Sequence, residues 1–98
     1  MSTQAMTQAI ADYFKTQPVL KAWLFGSFAR GEETPLSDVD ILVLYDGGGI
    51  SLLKHAAMLN ELEKILDRPV DLVEDGTLRP RISNYVNQEK KLIYERVR

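Results

Sequence analysis

Two runs that read as strands, Asp38 to Tyr45 (DVDILVLY) and Pro69 to Glu74 (PVDLVE), are separated by one helix-period segment from Ser51 to about Leu66. That order constrains the fold more than any other feature. Strands joined through a single helix favour a parallel pair with a right-handed crossover. Within the crossover Leu52, Leu59, Leu62 and Leu66 recur at helical spacing, while Lys54, Glu61 and Lys64 can face water. Ser51 suits the N-cap and Arg68-Pro69 stops the helix.

The remaining elements follow from similar signals. From about Thr3 to Thr16, Met6, Ala9, Ile10, Tyr13 and Phe14 form an amphipathic stripe that Pro18 ends. Val19 to Phe25 (VLKAWLF) reads as a strand stopping at Gly26. Next come one or two helical turns with Ser27 at the start and Gly31 at the end, then an exposed connection, EETPLS. Asp46 to Gly49 (DGGG) is a flexible break, the segment from about Leu78 to Gln88 is helical, and KLIYERV is a short final strand or extended tail. The expected fold class is α/β (or α+β): one domain, 1–98, built on a small mixed sheet of about four strands with helices packed on one face.

Composition excludes several functions. Cysteine is absent, so disulfide frameworks and cysteine-ligated zinc are out, and a reducing cytoplasm is the expected compartment. No apolar stretch approaches the ~20 residues of a membrane span, and MSTQAMTQAIADYF lacks the pattern of a secretory leader. A formal net charge of −2 gives no general attraction for nucleic acid, despite a locally basic tail from Arg79 to Arg98.

The chemistry concentrates in LFGSFARGEETPLSDVDILV, Leu24 to Val43. On a strand, Asp38 and Asp40 share one face with Leu42 and Leu44, their Cα atoms about 6.6 Å apart. Two carboxylates so placed are costly without a cation, and hard oxygen ligands with no histidine or cysteine nearby suit Mg²⁺. If the third strand lies beside the second, Asp71 of PVDLVE reaches the same metals. Two ions could then clamp an in-line phosphoryl displacement, with Asp71 accepting the proton of the attacking hydroxyl. Gly26-Ser27 supplies the other half: glycine lets a phosphate approach the backbone, and the serine hydroxyl and free N–H groups can bind it. Arg30 could add a cation. Each feature has a plain alternative: a turn for Gly-Ser, a solvated cap for Asp-Val-Asp, a surface acid for Asp71 and a solvated side chain for Arg30. Their conjunction, in order and on the expected elements, makes a cradle for a metal-bound nucleoside triphosphate.

GSFARG followed by SDVDILV and then VDLV resembles the nucleotidyltransferase superfamily that includes DNA polymerase beta, and most closely the minimal nucleotidyltransferases of MNT or MntA type. The likeness covers nearly the whole chain and includes RPVDLV and LRPRI. It implies a two-metal transfer of AMP from ATP to a hydroxyl, with pyrophosphate released. Gly26 and Ser27 would hold the triphosphate and Arg30 would contact phosphate. Asp38, Asp40 and Asp71 would be the metal ligands and catalytic acids, with Asp71 the base. It further implies a HEPN-domain toxin as partner, with the nucleotidyltransferase as antitoxin of a type VII module, adding AMP to a toxin tyrosine. Two other functions stay open: an antitoxin that neutralises by binding alone, and a transferase acting on a small molecule such as an antibiotic.

Other residues promise less. His55 is expected to be solvated or partly packed, Trp23 to pack, and Tyr13, Tyr45, Tyr85 and Tyr94 to be structural or interfacial. Lys90, Lys91, Arg96 and Arg98 read as a solvated terminus or a docking patch for an acidic partner. DGGG lacks the Lys-Ser/Thr ending of a Walker phosphate loop.

Overall fold

The sheet is built from β1 (Val19–Phe25), β2 (Val39–Tyr45), β3 (Val70–Glu74) and β4 (Lys91–Glu95), in the spatial order β3-β2-β1-β4. These elements come from a computed structural model that describes residues 1–97; Arg98, counted above in the basic tail, lies outside the described residues. β2 and β3 are parallel, as a helical crossover requires, whereas β1 runs antiparallel to both β2 and β4. The helices are α1 (Thr3–Phe14), α2 (Gly26–Arg30), α3 (Leu52–Leu66) and α4 (Pro80–Glu89).

Alternation along β2 decides which face is core. Val39, Ile41, Val43 and Tyr45 are buried on one side, joined by Val19, Ala22 and Leu24 of β1 and Val70 and Leu72 of β3. A bulge between Val19 and Lys21 lets Val19 and Ala22 share that face despite their odd spacing. Onto it pack Met6, Ile10 and Phe14 of α1 and Met58, Leu62 and Leu66 of α3. Side chains buried as completely as Phe14, Ile10, Ile41 and Leu62 stabilise the fold by roughly 1.5–3 kcal/mol each. Ser2 and Ser51 cap the two helices, their hydroxyls accepting the Ala5 and Lys54 N–H groups at 3.1 Å.

Four sequence expectations need correction. α1 ends at Phe14 rather than Thr16, because the backbone turns through Lys15–Gln17 to present Pro18, which cannot continue a helix. Leu52 is 83% exposed. The buried stripe of α3 runs through Met58, Leu62 and Leu66 at four-residue steps, and Leu52 stands off it. α2 begins at Gly26, one residue before the expected Ser27, with Phe25 as its cap. Asp38 precedes β2 instead of lying on it; only Asp40 of the pair is a strand residue.

Candidate active site

The topology brings four chain segments to one end of the sheet. β2 and β3 start there, and antiparallel β1 finishes there, so Phe25 pairs with Asp40, and Asp40 pairs in turn with Asp71. Leu24 pairs with Lys91, which sets the end of α4 at the same edge. Aligned residues on neighbouring strands project to the same face about 4.8 Å apart, so the Asp40 and Asp71 side chains leave the sheet side by side. Asp40 is half-buried, while Asp71 and Asp38 are exposed.

Gly26 is where the backbone meets this pair. Its φ of +70° is a left-handed conformation, and a Cβ there would collide with the Asp40 carboxylate. Glycine is thus required twice at this position. Phe28 and Ala29 are buried and anchor the short α2, leaving Ser27 half-buried and Arg30 outermost. Gly31, at φ 71°, closes the helix by donating its N–H to the Ser27 carbonyl.

The segment leading to Asp38 is also fastened. Ser37 Oγ accepts the Thr34 N–H at 2.8 Å, and the Ser37 N–H donates to the Thr34 carbonyl at 3.0 Å. Arg68 Nη1 donates to the carbonyls of both Thr34 and Ser37, at 3.1 and 3.0 Å, and its guanidinium lies 5.2 Å from the Phe28 ring centre. One side chain therefore ties the turn before Asp38 to α2.

Burial, reinforced by the nearby negative charges of Asp71 and Asp38, pushes the Asp40 carboxyl up to about 6; Arg30 pulls it back and Glu89 adds to the rise. The acids are near enough to repel one another, yet among the described residues no three His, Cys, Asp or Glu side chains are gathered closely enough to hold a metal ion. The donor set nonetheless fits a hard divalent cation. All three side chains are carboxylates, two of them are exposed, and Asp40 and Asp71 stand in register on neighbouring strands.

Arg30 is committed within the chain. Its Nε donates to Glu32 at 2.6 Å and its Nη1 to Glu89 at 3.0 Å, and these hydrogen bonds, Glu32 first, raise its already high pKa. Glu89 also accepts the Gly26 N–H at 2.9 Å. Sequence reasoning missed Glu89 and the role of Arg68; neither stands in a local pattern that could have revealed it.

A cavity of about 370 Å³ lies elsewhere, at the opposite ends of β2 and β3, bounded by Tyr45, His55, Leu72 and Glu74. His55 is a clasp there. Its Nε2 is 3.0 Å from the Leu72 carbonyl and so carries the proton, leaving Nδ1, at 2.7 Å, to accept from the Tyr45 hydroxyl. Trp23, expected to pack, lies on the sheet face opposite Ala22 and Leu24, with the Lys90 ammonium 4.3 Å above its ring. No helix among the described residues is long and apolar enough to cross a membrane.

The chain matches the family model "Polymerase beta, Nucleotidyltransferase" over residues 8–98. It belongs to that family. This nucleotidyltransferase is 38% identical over 71 residues to a Methanocaldococcus jannaschii protein assigned to the protein adenylyltransferases, covering 72% of this chain and 75% of the relative. It is 42% identical over 66 residues to the protein adenylyltransferase MntA of Thermococcus cleftensis, covering 67% and 66%. A solved structure assigned as a minimal nucleotidyltransferase is 33% identical, covers 93% of this chain and 95% of its own, and has a TM-score of 0.79. A chain in the structure of a tri-AMPylated Shewanella oneidensis HEPN toxin in complex with MNT antitoxin has a TM-score of 0.74 over 97% of this chain and 74% of its own; at 21% identity it shows the fold alone. The expected four-stranded mixed sheet, the minimal nucleotidyltransferase resemblance and the enzyme class are all borne out.

Proposed function

We propose that the nucleotidyltransferase moves AMP from ATP to a hydroxyl of a protein partner, a tyrosine of a HEPN-domain toxin, and serves as its antitoxin in the cytoplasm. One observation carries the reading: Asp40 stands in register with Asp71 and against Gly26, so the acids and the Gly-Ser turn converge at one edge. The relatives named as protein adenylyltransferases support a protein acceptor, and the AMPylated toxin bound to an antitoxin of this fold supports a HEPN partner.

In this reading Asp38, Asp40 and Asp71 hold two Mg²⁺ ions. When bound, the ions neutralise the triphosphate and steady the attacking and leaving oxygens of an in-line displacement. Ser27, with the backbone at Gly26, orients the phosphates by hydrogen bonds, and Arg30 contributes a cation once released from its carboxylates. The acceptor oxygen bonds to the α-phosphorus, its proton passes to Asp71, and the α–β phosphate bond breaks to release pyrophosphate.

A second reading, neutralisation by binding alone, is favoured by Arg30 being already paired with Glu32 and Glu89. Asp38→Ala combined with Asp40→Ala separates the two. The catalytic reading expects the double variant to keep its complex with the toxin while losing neutralisation. Full neutralisation by the double variant sinks it in favour of binding.

A further inference from the structure

The Gly26 N–H and the Arg30 guanidinium, two groups that the donor reading gives to phosphate, already hold an anion of the chain itself. One oxygen of Glu89 accepts the Gly26 N–H at 2.9 Å, and the other accepts from Arg30 Nη1 at 3.0 Å. The carboxylate thus bridges backbone and guanidinium, as two oxygens of a phosphate would. Only 15% of the Glu89 side chain is exposed, and the residue reaches this seat from 63 positions along the chain.

A carboxylate is an odd brace here. It adds a fourth negative charge beside Asp38, Asp40 and Asp71, where a neutral side chain could cap the same N–H with less repulsion. It is also easy to remove. Glu89 is the last residue of α4, followed by extended Lys90, so its side chain can leave without breaking the helix. Val86 is the one buried residue of α4, and the helix packs against α2, so losing the Glu89 link loosens its hold on the body.

We propose that Glu89 is a resident stand-in for a donor phosphate: a nucleoside triphosphate must displace it from Gly26 and Arg30, so Glu89 sets donor affinity. The inference rests on the donor-site reading and adds to it a residue that opposes binding. Displacement also couples donor binding to release of the end of α4 from α2.

The test is calorimetric titration of the full chain with Mg²⁺ and the non-hydrolysable analogue AMP-PNP, for wild type, Glu89→Gln, Glu89→Ala and Glu32→Gln. Glu32→Gln removes a charge beside Arg30 but leaves the Gly26 N–H occupied. At least threefold tighter binding is expected for Glu89→Ala, a lesser gain for Glu89→Gln, whose amide oxygen can still accept the Gly26 N–H, and a clearly smaller gain than Glu89→Ala for Glu32→Gln. In wild type, amide exchange at the end of α4 should quicken when the analogue binds. Unchanged or weaker binding by the Glu89 variants makes Glu89 a brace and overturns the proposal. An equal gain from Glu32→Gln reduces the effect to general charge and also overturns it. Binding to none of the four proteins removes the donor site itself, a different failure that takes the proposal with it.

Discussion

Asp40 and Asp71 are Cα partners on the parallel ladder between β2 and β3, and this pairing assembles the site's charge before any ligand arrives. Burial first, and the negative charges of Asp71 and Asp38 after it, leave Asp40 holding its proton to about pH 6, against an unfolded carboxyl near 3.9. The sign follows from the raised value. As pH rises from about 4 to 6 the unfolded chain sheds this proton first, so Asp40's contribution to stability is present at low pH and lost through the folded pKa. In chelator, thermal melts of Asp40→Asn should lack that decline and exceed wild type at pH 7 by about 1 kcal/mol, discounted for the partial exposure of the group. A wild-type contribution from Asp40 that instead rises between pH 4 and 6 contradicts the assigned environment.

Metal binding should oppose the same proton. Mg²⁺ would raise the wild-type melting temperature more at pH 7.5 than at pH 5.5, because the ligand must be deprotonated first. Asp40→Asn should lose most of the Mg²⁺ response at both values. An equal Mg²⁺ shift in that variant would place the ion elsewhere.

Gly26→Ala should destabilise through two separable causes. The left-handed backbone costs about 1–3 kcal/mol for a residue with a Cβ, and the collision with Asp40 adds to it. In an Asp40→Gly background the collision disappears and only the backbone cost remains, so the two substitutions should be strongly non-additive. Denaturant melts of the four proteins measure the coupling; simple additivity would mean that Gly26 and Asp40 do not touch.

Arg68→Ala frees two carbonyls, of Thr34 and Ser37, and uncovers the Phe28 ring. A loss of about 1–2 kcal/mol is expected, with transfer activity falling further as the turn before Asp38 loosens. Lysine cannot donate to both carbonyls and lie flat on the ring, so Arg68→Lys should recover little. Full rescue by lysine would reduce Arg68 to a point charge.

Local pattern made most of this architecture readable. Val19–Phe25 was legible as a strand because β-branched and aromatic residues end sharply at a glycine, and the parallel pair followed from one helix between two apolar runs. The register of Asp71 with Asp40 is what made neighbours of two of the three candidate acids. Periodicity failed where a leucine stood off the buried stripe of its helix, as at Leu52, and where a strand began one residue late, as at Asp38. Glu89 and Arg68 were invisible because their partners lie 59 to 63 and 31 to 34 residues away, separations that carry no periodic signal. A five-residue helix, α2, whose arginine faces two acids of its own chain, is likewise a tertiary fact.

On the proposed reading, this edge of the sheet transfers a nucleotide to a partner protein. The direct measurement is transfer of label from α-phosphate-labelled ATP, with Mg²⁺, to a HEPN-domain toxin, the proposed partner, for wild type, Asp40→Ala and Asp71→Asn. Label should appear on the partner with wild type and fall at least a hundredfold with either variant, for loss of a metal ligand or base. Label that never reaches the partner, or reaches it equally with Asp40→Ala, rules out transfer at this edge.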